Sequence, residues 1–211
     1  MLGLGGSIES ILVLGAVHGI NPAMGWLFAV SLGLQAQSGR AVWRALGPLA
    51  LGHALAVASA LAVAAALGVV VPMAWLRWIA AGALLAFGVF HLVRHRHPRV
   101  GRIGMTVGAR DLTFWSFIIS SAHGAGLMVL PFVLGAATTS GHEHASHMDR
   151  LGDLGVLATL LHTASYLVVA GVIAWLVYAW FGLRLLRTAW INVNVIWAVT
   201  LILTAVATPL L

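Results

Sequence analysis

Four histidines occupy long apolar stretches that contain no Asp, Glu, Lys or Arg: His18, His53, His123 and His162. Each lies roughly 8 to 12 residues from the start of its stretch, which is close to the middle of a bilayer at a rise of about 1.5 Å per residue. A single buried histidine usually hydrogen-bonds a serine or threonine of a neighbouring helix. Four histidines at matching depths favour a functional site, since ionisable groups at that depth are costly and usually face a cavity, a partner or an ion path.

A transition-metal ion is the natural ligand for several neutral imidazoles. Nitrogen ligands suit nickel, cobalt, zinc and copper, and thioethers make a site softer. Met24 and Met128 follow His18 and His123 by six and five residues. Core packing is the alternative role for the two methionines.

A break in the first apolar stretch is needed for Met24 to reach the same site as His18. Six residues turn a straight helix by about 600°, which places the two side chains well apart. Asn21-Pro22 predicts such a break, because proline removes a backbone donor. Asn21 would add an amide ligand at the same depth, and Gly124 and Gly126 can loosen the fourth stretch in a similar way.

A second group of candidate metal ligands lies in the polar segment that follows residue 138. Nine residues contain three histidines and two carboxylates: His142, Glu143, His144, His147 and Asp149. Histidine-rich tracts often bind metal. We favour metal affinity over a plain exposed polar loop. His95 and His97, in contrast, lie among arginines whose positive charge disfavours a bound cation, so we interpret that segment as a membrane-surface anchor.

The composition predicts the elements that position these residues. The chain has 211 residues, of which 61% are hydrophobic and 8% charged, whereas soluble domains carry about 25% charged residues. A membrane-spanning helix needs about 20 mainly apolar residues. We therefore predict an all-α integral membrane protein with six transmembrane helices, near residues 9–34, 45–70, 74–93, 112–137, 154–180 and 188–209. The absence of cysteine excludes disulfides and thiolate metal sites.

The two halves of the chain share short histidine motifs. Ala16-Val17-His18-Gly19 matches Ser121-Ala122-His123-Gly124, and Gly52-His53-Ala54 matches Leu161-His162-Thr163, at offsets of 105 and 109 residues. Because spans 1 and 4 would cross in opposite directions, the pattern predicts a 3+3 inverted repeat with a substrate site at the repeat interface. The predicted parts are a first three-helix repeat at 1–97, a cytoplasmic linker at 98–111 and a second repeat at 112–211.

The arginines predict the orientation. Nine of eleven fall on one side of the predicted spans: Arg40, Arg44, Arg94, Arg96, Arg99, Arg102, Arg110, Arg184 and Arg187. Cytoplasmic loops carry the excess of basic residues. We therefore expect both termini outside the cytoplasm, in the cell inner (plasma) membrane. The isoelectric point near 11.6 follows from these topology-setting arginines, and we predict no nucleic-acid partner.

The first two predicted spans resemble a known family. His18-Gly19-Ile20-Asn21-Pro22-Ala23-Met24-Gly25 resembles the H-A-L-E-P-G-H-G signature of NicO-type nickel/cobalt transporters, which belong with the LysE superfamily. Ala50 to Val57 resembles the histidine segment of that family's second helix. The resemblance is specific over about residues 10–60. It implies that His18 and His53 contact metal, with Asn21 at the family's carboxylate position and Met24 at its second histidine. These two replacements remove an anionic ligand and make the site softer.

The leading hypothesis is therefore a transporter, with export favoured, of a divalent transition metal such as nickel or cobalt; zinc and copper stay open. His18, His53, His123 and His162 would form the midplane site, helped by Asn21, Met24 and Met128. The alternative is a non-transporting membrane subunit or assembly factor of a metalloenzyme or redox complex. We predict no enzyme activity and no organic cofactor, although paired imidazoles could also ligate haem iron. Membrane lipid is an expected partner, and a homo-oligomer or a membrane complex stays open.

Overall fold

The described part of the chain is helical throughout. The computed structural model describes residues 4–68, 72–93, 108–138 and 144–181, with single positions between 199 and 206. The helices are α1 (Leu4–Ile20), α2 (Trp26–Gln35), α3 (Gly39–Gly68), α4 (Met73–Val93), α5 (Ala109–Ala122), α6 (Ala125–Thr138) and α7 (His144–Leu176). A π-helical turn at Val177–Phe181 continues α7. No strand occurs within these ranges, so the all-α prediction is confirmed for them.

Two of the described helices are long and apolar enough to cross a membrane. They cover Gly39–Leu67 and Gly152–Trp180, each 29 residues, and about 20 suffice. The pair α5 and α6 counts as a third if its two helices, bent by 62°, form one span. Large apolar side chains such as Val63, Phe114 and Val168 are exposed, as expected of a surface that contacts lipid. The chain is thus a membrane protein by the length and composition of these helices.

The break predicted near Pro22 is confirmed. Helix α1 ends at Ile20, a 3₁₀ turn covers Pro22–Met24, and α2 begins at Trp26. Gly25 has φ 114°, a left-handed conformation that favours glycine. The indole Nε1 of Trp26 donates a hydrogen bond to the Ile20 carbonyl at 3.1 Å. The interruption therefore does not leave the Ile20 carbonyl without a hydrogen-bond partner.

A second break divides the stretch predicted as the fourth span. Helix α5 ends at Ala122 and α6 begins at Ala125. Gly124 has φ 70°, so the freedom predicted for this glycine is used here. Gly126 instead lies inside α6, where an added Cβ would collide with Ala60 of α3.

The closest helix packing crosses between the two halves of the sequence. Among the described elements, α1 packs most extensively against α7, and α3 against α5. Glycines make both approaches possible: a Cβ at Gly15 would collide with the His162 carbonyl, and one at Gly52 with the Thr113 carbonyl. Small residues commonly let membrane helices approach this closely. In this packing, the histidines of α1, α3 and α7 lie next to one another.

Two of the loops predicted between the spans are shorter in the structure, because a helix extends into each of them. Helix α7 begins at His144, so His144 and His147 lie on a helix and not in a loop as predicted. The segment contains no proline, and Ala145, Met148 and Leu151 are good helix formers. Helix α3 likewise starts at Gly39 and includes two of the arginines assigned to a loop. Most of the sixth predicted span and of the 98–111 linker lies outside the described residues.

Candidate functional site

Three of the four predicted histidines meet in the core. His18 on α1, His53 on α3 and His162 on α7 each have 0% of their surface exposed. Their ring centroids lie 5.4 Å apart for His18 and His53, 4.8 Å for His18 and His162, and 5.3 Å for His53 and His162. His18 meets both partners edge-on, whereas the other two rings are nearly parallel. We call these three residues the histidine cluster.

Backbone carbonyls determine which ring nitrogen holds the proton in two members of the cluster. Nδ1 of His18 lies 2.9 Å from the Leu14 carbonyl oxygen, and Nδ1 of His162 lies 3.3 Å from that of Ile11. A carbonyl oxygen only accepts, so Nδ1 must be the protonated nitrogen. In a neutral ring, Nε2 then carries the lone pair that a metal ion or proton binds. Metal-binding histidines are commonly oriented by this type of bond.

His53 is linked through a serine to the broken segment. Its Nδ1 lies 2.9 Å from the hydroxyl oxygen of Ser120 on α5. That hydroxyl donates a long hydrogen bond to the Met24 sulfur, 3.9 Å away. Since Ser120 has a single proton to donate, this arrangement makes His53 Nδ1 the donor to Ser120. Within the described part of the chain, the Nε2 atoms of His53 and His162 are buried and have no hydrogen-bond partner.

Tyr166 is a member of the site that the sequence analysis missed. Its ring stacks on His53 at a centroid distance of 4.2 Å, and its hydroxyl donates to the Met24 carbonyl at 2.8 Å. The side chain is 1% exposed. Its position four residues after His162 gave the signal, because residues i and i+4 share a helix face. Tyr166 thereby connects α7 to the turn that follows α1.

Asn21 and Met24 lie in that turn. The Asn21 side-chain oxygen accepts from the Ala23 amide at 2.9 Å and so caps the 3₁₀ turn. Its amide therefore stabilises the break in this structure. Met24 is 2% exposed, and its sulfur faces Ser120 as described above. The structure thus brings Met24, but not the Asn21 oxygen, into the hydrogen-bonded network of the cluster.

His123 lies at the second helix break. It caps α5, and its Nδ1 lies 2.8 Å from the Ile119 carbonyl oxygen. The same bond to the carbonyl four residues earlier occurs at His18. His123 is 8% exposed. Met128 is fully buried on α6.

The remaining candidate residues lie outside the described side chains: His142, His144 and His147. Among the side chains that are described, no three from His, Cys, Asp or Glu are arranged to hold one metal ion. The cluster imidazoles pack ring against ring in this conformation. No family model, curated protein or solved structure matches the chain.

Proposed function

We propose that the chain is a membrane transporter of a transition-metal ion, and that the histidine cluster is its substrate site. The observation that carries the proposal is the convergence of three fully buried imidazoles from three helices. Buried polar groups are costly unless they are bonded. Two Nε2 atoms without a partner in the described residues are best explained by a substrate that supplies the missing bond.

The helix breaks support transport over a purely structural role. Discontinuous helices commonly form substrate sites near the membrane midplane of transporters. Here the α1–α2 break contributes Met24 to the network around His53, and His123 caps α5 at the α5–α6 break. Irregular backbone at this depth is tolerated where it lines a protected cavity. A change in either break would alter access to the cluster.

The proposal includes the inverted repeat as the basis of the transport cycle. Each half begins with a broken helix, α1–α2 or α5–α6, followed by a long helix, α3 or α7. Each long helix packs against the first helix of the other half. Rocking of one half against the other would expose the cluster alternately to each side. The arginine asymmetry implies external termini, and the family resemblance favours export.

Reconstituted vesicles test the proposal. We expect the wild-type protein to move at least one of nickel, cobalt, zinc and copper, and His18→Ala or His53→Ala to abolish that movement, because no water replaces a lost ligand at this depth. His97→Ala is the matched control, as it removes one imidazole from the arginine-rich segment and should leave the rate unchanged. The transport proposal is wrong if vesicles containing the His18→Ala protein move all four metals at the wild-type rate. A protein inert in vesicles that copurifies with stoichiometric partners would favour the assembly-subunit alternative.

A further inference from the structure

We infer that the ion handled by the histidine cluster is monovalent and soft, with Cu(I) as its biological form. The inference rests on the proposed transport function and specifies its substrate. It follows from two features of the site. The ligand set carries no negative charge, and a thioether lies within the hydrogen-bonded network; nickel and cobalt sites require neither.

Among the side chains that the structure describes, no acidic one accompanies the cluster. The chain has five Asp and Glu residues. Glu9, Asp111 and Asp153 are exposed. Asp149 lies on α7, thirteen residues before His162, which is about 20 Å along a helix, and Glu143 precedes that helix. Apart from Tyr166, the buried polar side chains within the described ranges are all histidine, serine, threonine or asparagine.

A neutral site discriminates strongly by ion charge. The Born cost of moving an ion from water into a low-dielectric interior grows with the square of the charge, so a divalent ion costs about four times as much as a monovalent ion of equal radius. Carboxylates normally offset that cost for divalent ions. Without them, the cluster favours an ion of charge +1.

The Met24 sulfur adds the preference for a soft ion. It lies 3.9 Å from the Ser120 hydroxyl, which lies 2.9 Å from His53 Nδ1. The sulfur is thus held one hydroxyl away from a cluster imidazole, in a side chain that is 2% exposed. Thioethers select Cu(I) over the harder divalent ions.

The arrangement of the imidazoles is also compatible with low coordination numbers. Among the described side chains, no three ligands of the usual types are placed around one point. Cu(I) has a filled d shell and accepts fewer ligands than nickel or cobalt. The Nε2 atoms of His53 and His162 would suffice for it.

Silver(I) is the probe, because it has the charge and softness of Cu(I) and does not change oxidation state in the assay. The protein used carries three substitutions, His142→Ala, His144→Ala and His147→Ala. They remove external imidazoles that would also bind silver. Equilibrium binding of Ag(I), Ni(II), Co(II) and Zn(II) is measured on this protein in detergent and on the same protein with Met24→Leu or His53→Ala. Vesicle transport is measured for the same ions and for Cu(I) under anaerobic, reducing conditions.

We expect Ag(I) to bind at least about tenfold more tightly than each divalent ion, and Met24→Leu to weaken Ag(I) binding by about tenfold. Leucine is close to methionine in volume, so the melting temperature should change little. His53→Ala should abolish high-affinity Ag(I) binding. Tighter binding or faster transport of Ni(II), Co(II) or Zn(II) than of Ag(I) and Cu(I) would overturn the inference and leave the transport function intact. Movement of none of these ions would refute both.

Discussion

Added bulk at Gly15 should separate the two helices that carry His18 and His162. A Cβ at this position would collide with the His162 carbonyl oxygen and lie 2.9 Å from Ser165 Cβ. Ordinary contact requires α1 and α7 to move apart by roughly 1 Å. A backbone carbonyl inside α7 cannot rotate away as a flexible side chain can, so Gly15→Ala should impose a steric cost of about 1–3 kcal/mol.

Gly82→Ala is the matched control, because Gly82 also lies in a helix, is not followed by proline, and an added Cβ there meets nothing within 4 Å. Both variants gain the same helix propensity of about 1 kcal/mol, so their difference isolates the steric cost. For a chain of this size, Gly15→Ala should melt roughly 2–12 °C below Gly82→Ala. Thermal unfolding in detergent, followed by tryptophan fluorescence, measures the difference. Equal melting temperatures would show that the α1–α7 approach is not as close as described.

Three further predictions concern the break and the cluster. Gly25→Ala should destabilise the protein by about 1–3 kcal/mol, since Gly25 has φ 114° and a Cβ there would lie 2.6 Å from Leu49 Cδ2; an unchanged melting temperature would contradict this. Tyr166→Phe keeps the ring on His53 but leaves the Met24 carbonyl without its donor, at a cost of about 1–3 kcal/mol. Faster amide hydrogen exchange at residues 21–25 is the expected readout, and exchange equal to wild type would refute the link. Metal binding should be half-maximal at or below about pH 6.5, because each imidazole must lose a proton to become a ligand; a half-maximal pH well above that value would argue against imidazole ligands.

The sequence predicted the local features of the site better than the long-range ones. The break at Pro22 followed from the missing backbone donor of proline, and the apolar stretches free of charge pointed to His18, His53 and His162, which the structure shows to be buried. Which histidines share ring contacts depends on which helices pack together. The packing depends on glycines such as Gly15, which meets His162, 147 residues later (162 − 15), and Gly52, which meets Thr113, 61 residues later (113 − 52). Contacts at such separations leave no periodic signal in the sequence.

Two features were missed for different reasons. The extension of α7 back to His144 was hidden by polar residues that resemble a loop in composition, although their helix propensity is adequate. Tyr166 was overlooked because a tyrosine in an apolar helix is ordinarily a core residue. Its role depends on the carbonyl of Met24, which is available only because the helix is interrupted there.

The two interrupted helices have an electrostatic consequence for a cation. His18 lies in the last turn of α1, and His123 caps the end of α5. The carboxyl end of a helix carries the equivalent of about half a negative charge, and this attracts cations within its last turn. The amino ends of α2 and α6, which carry partial charges of the opposite sign, begin only a few residues after each break. Each break thus presents a fixed dipolar field, negative beside the histidine and positive beyond it, where the described buried side chains carry no acidic group.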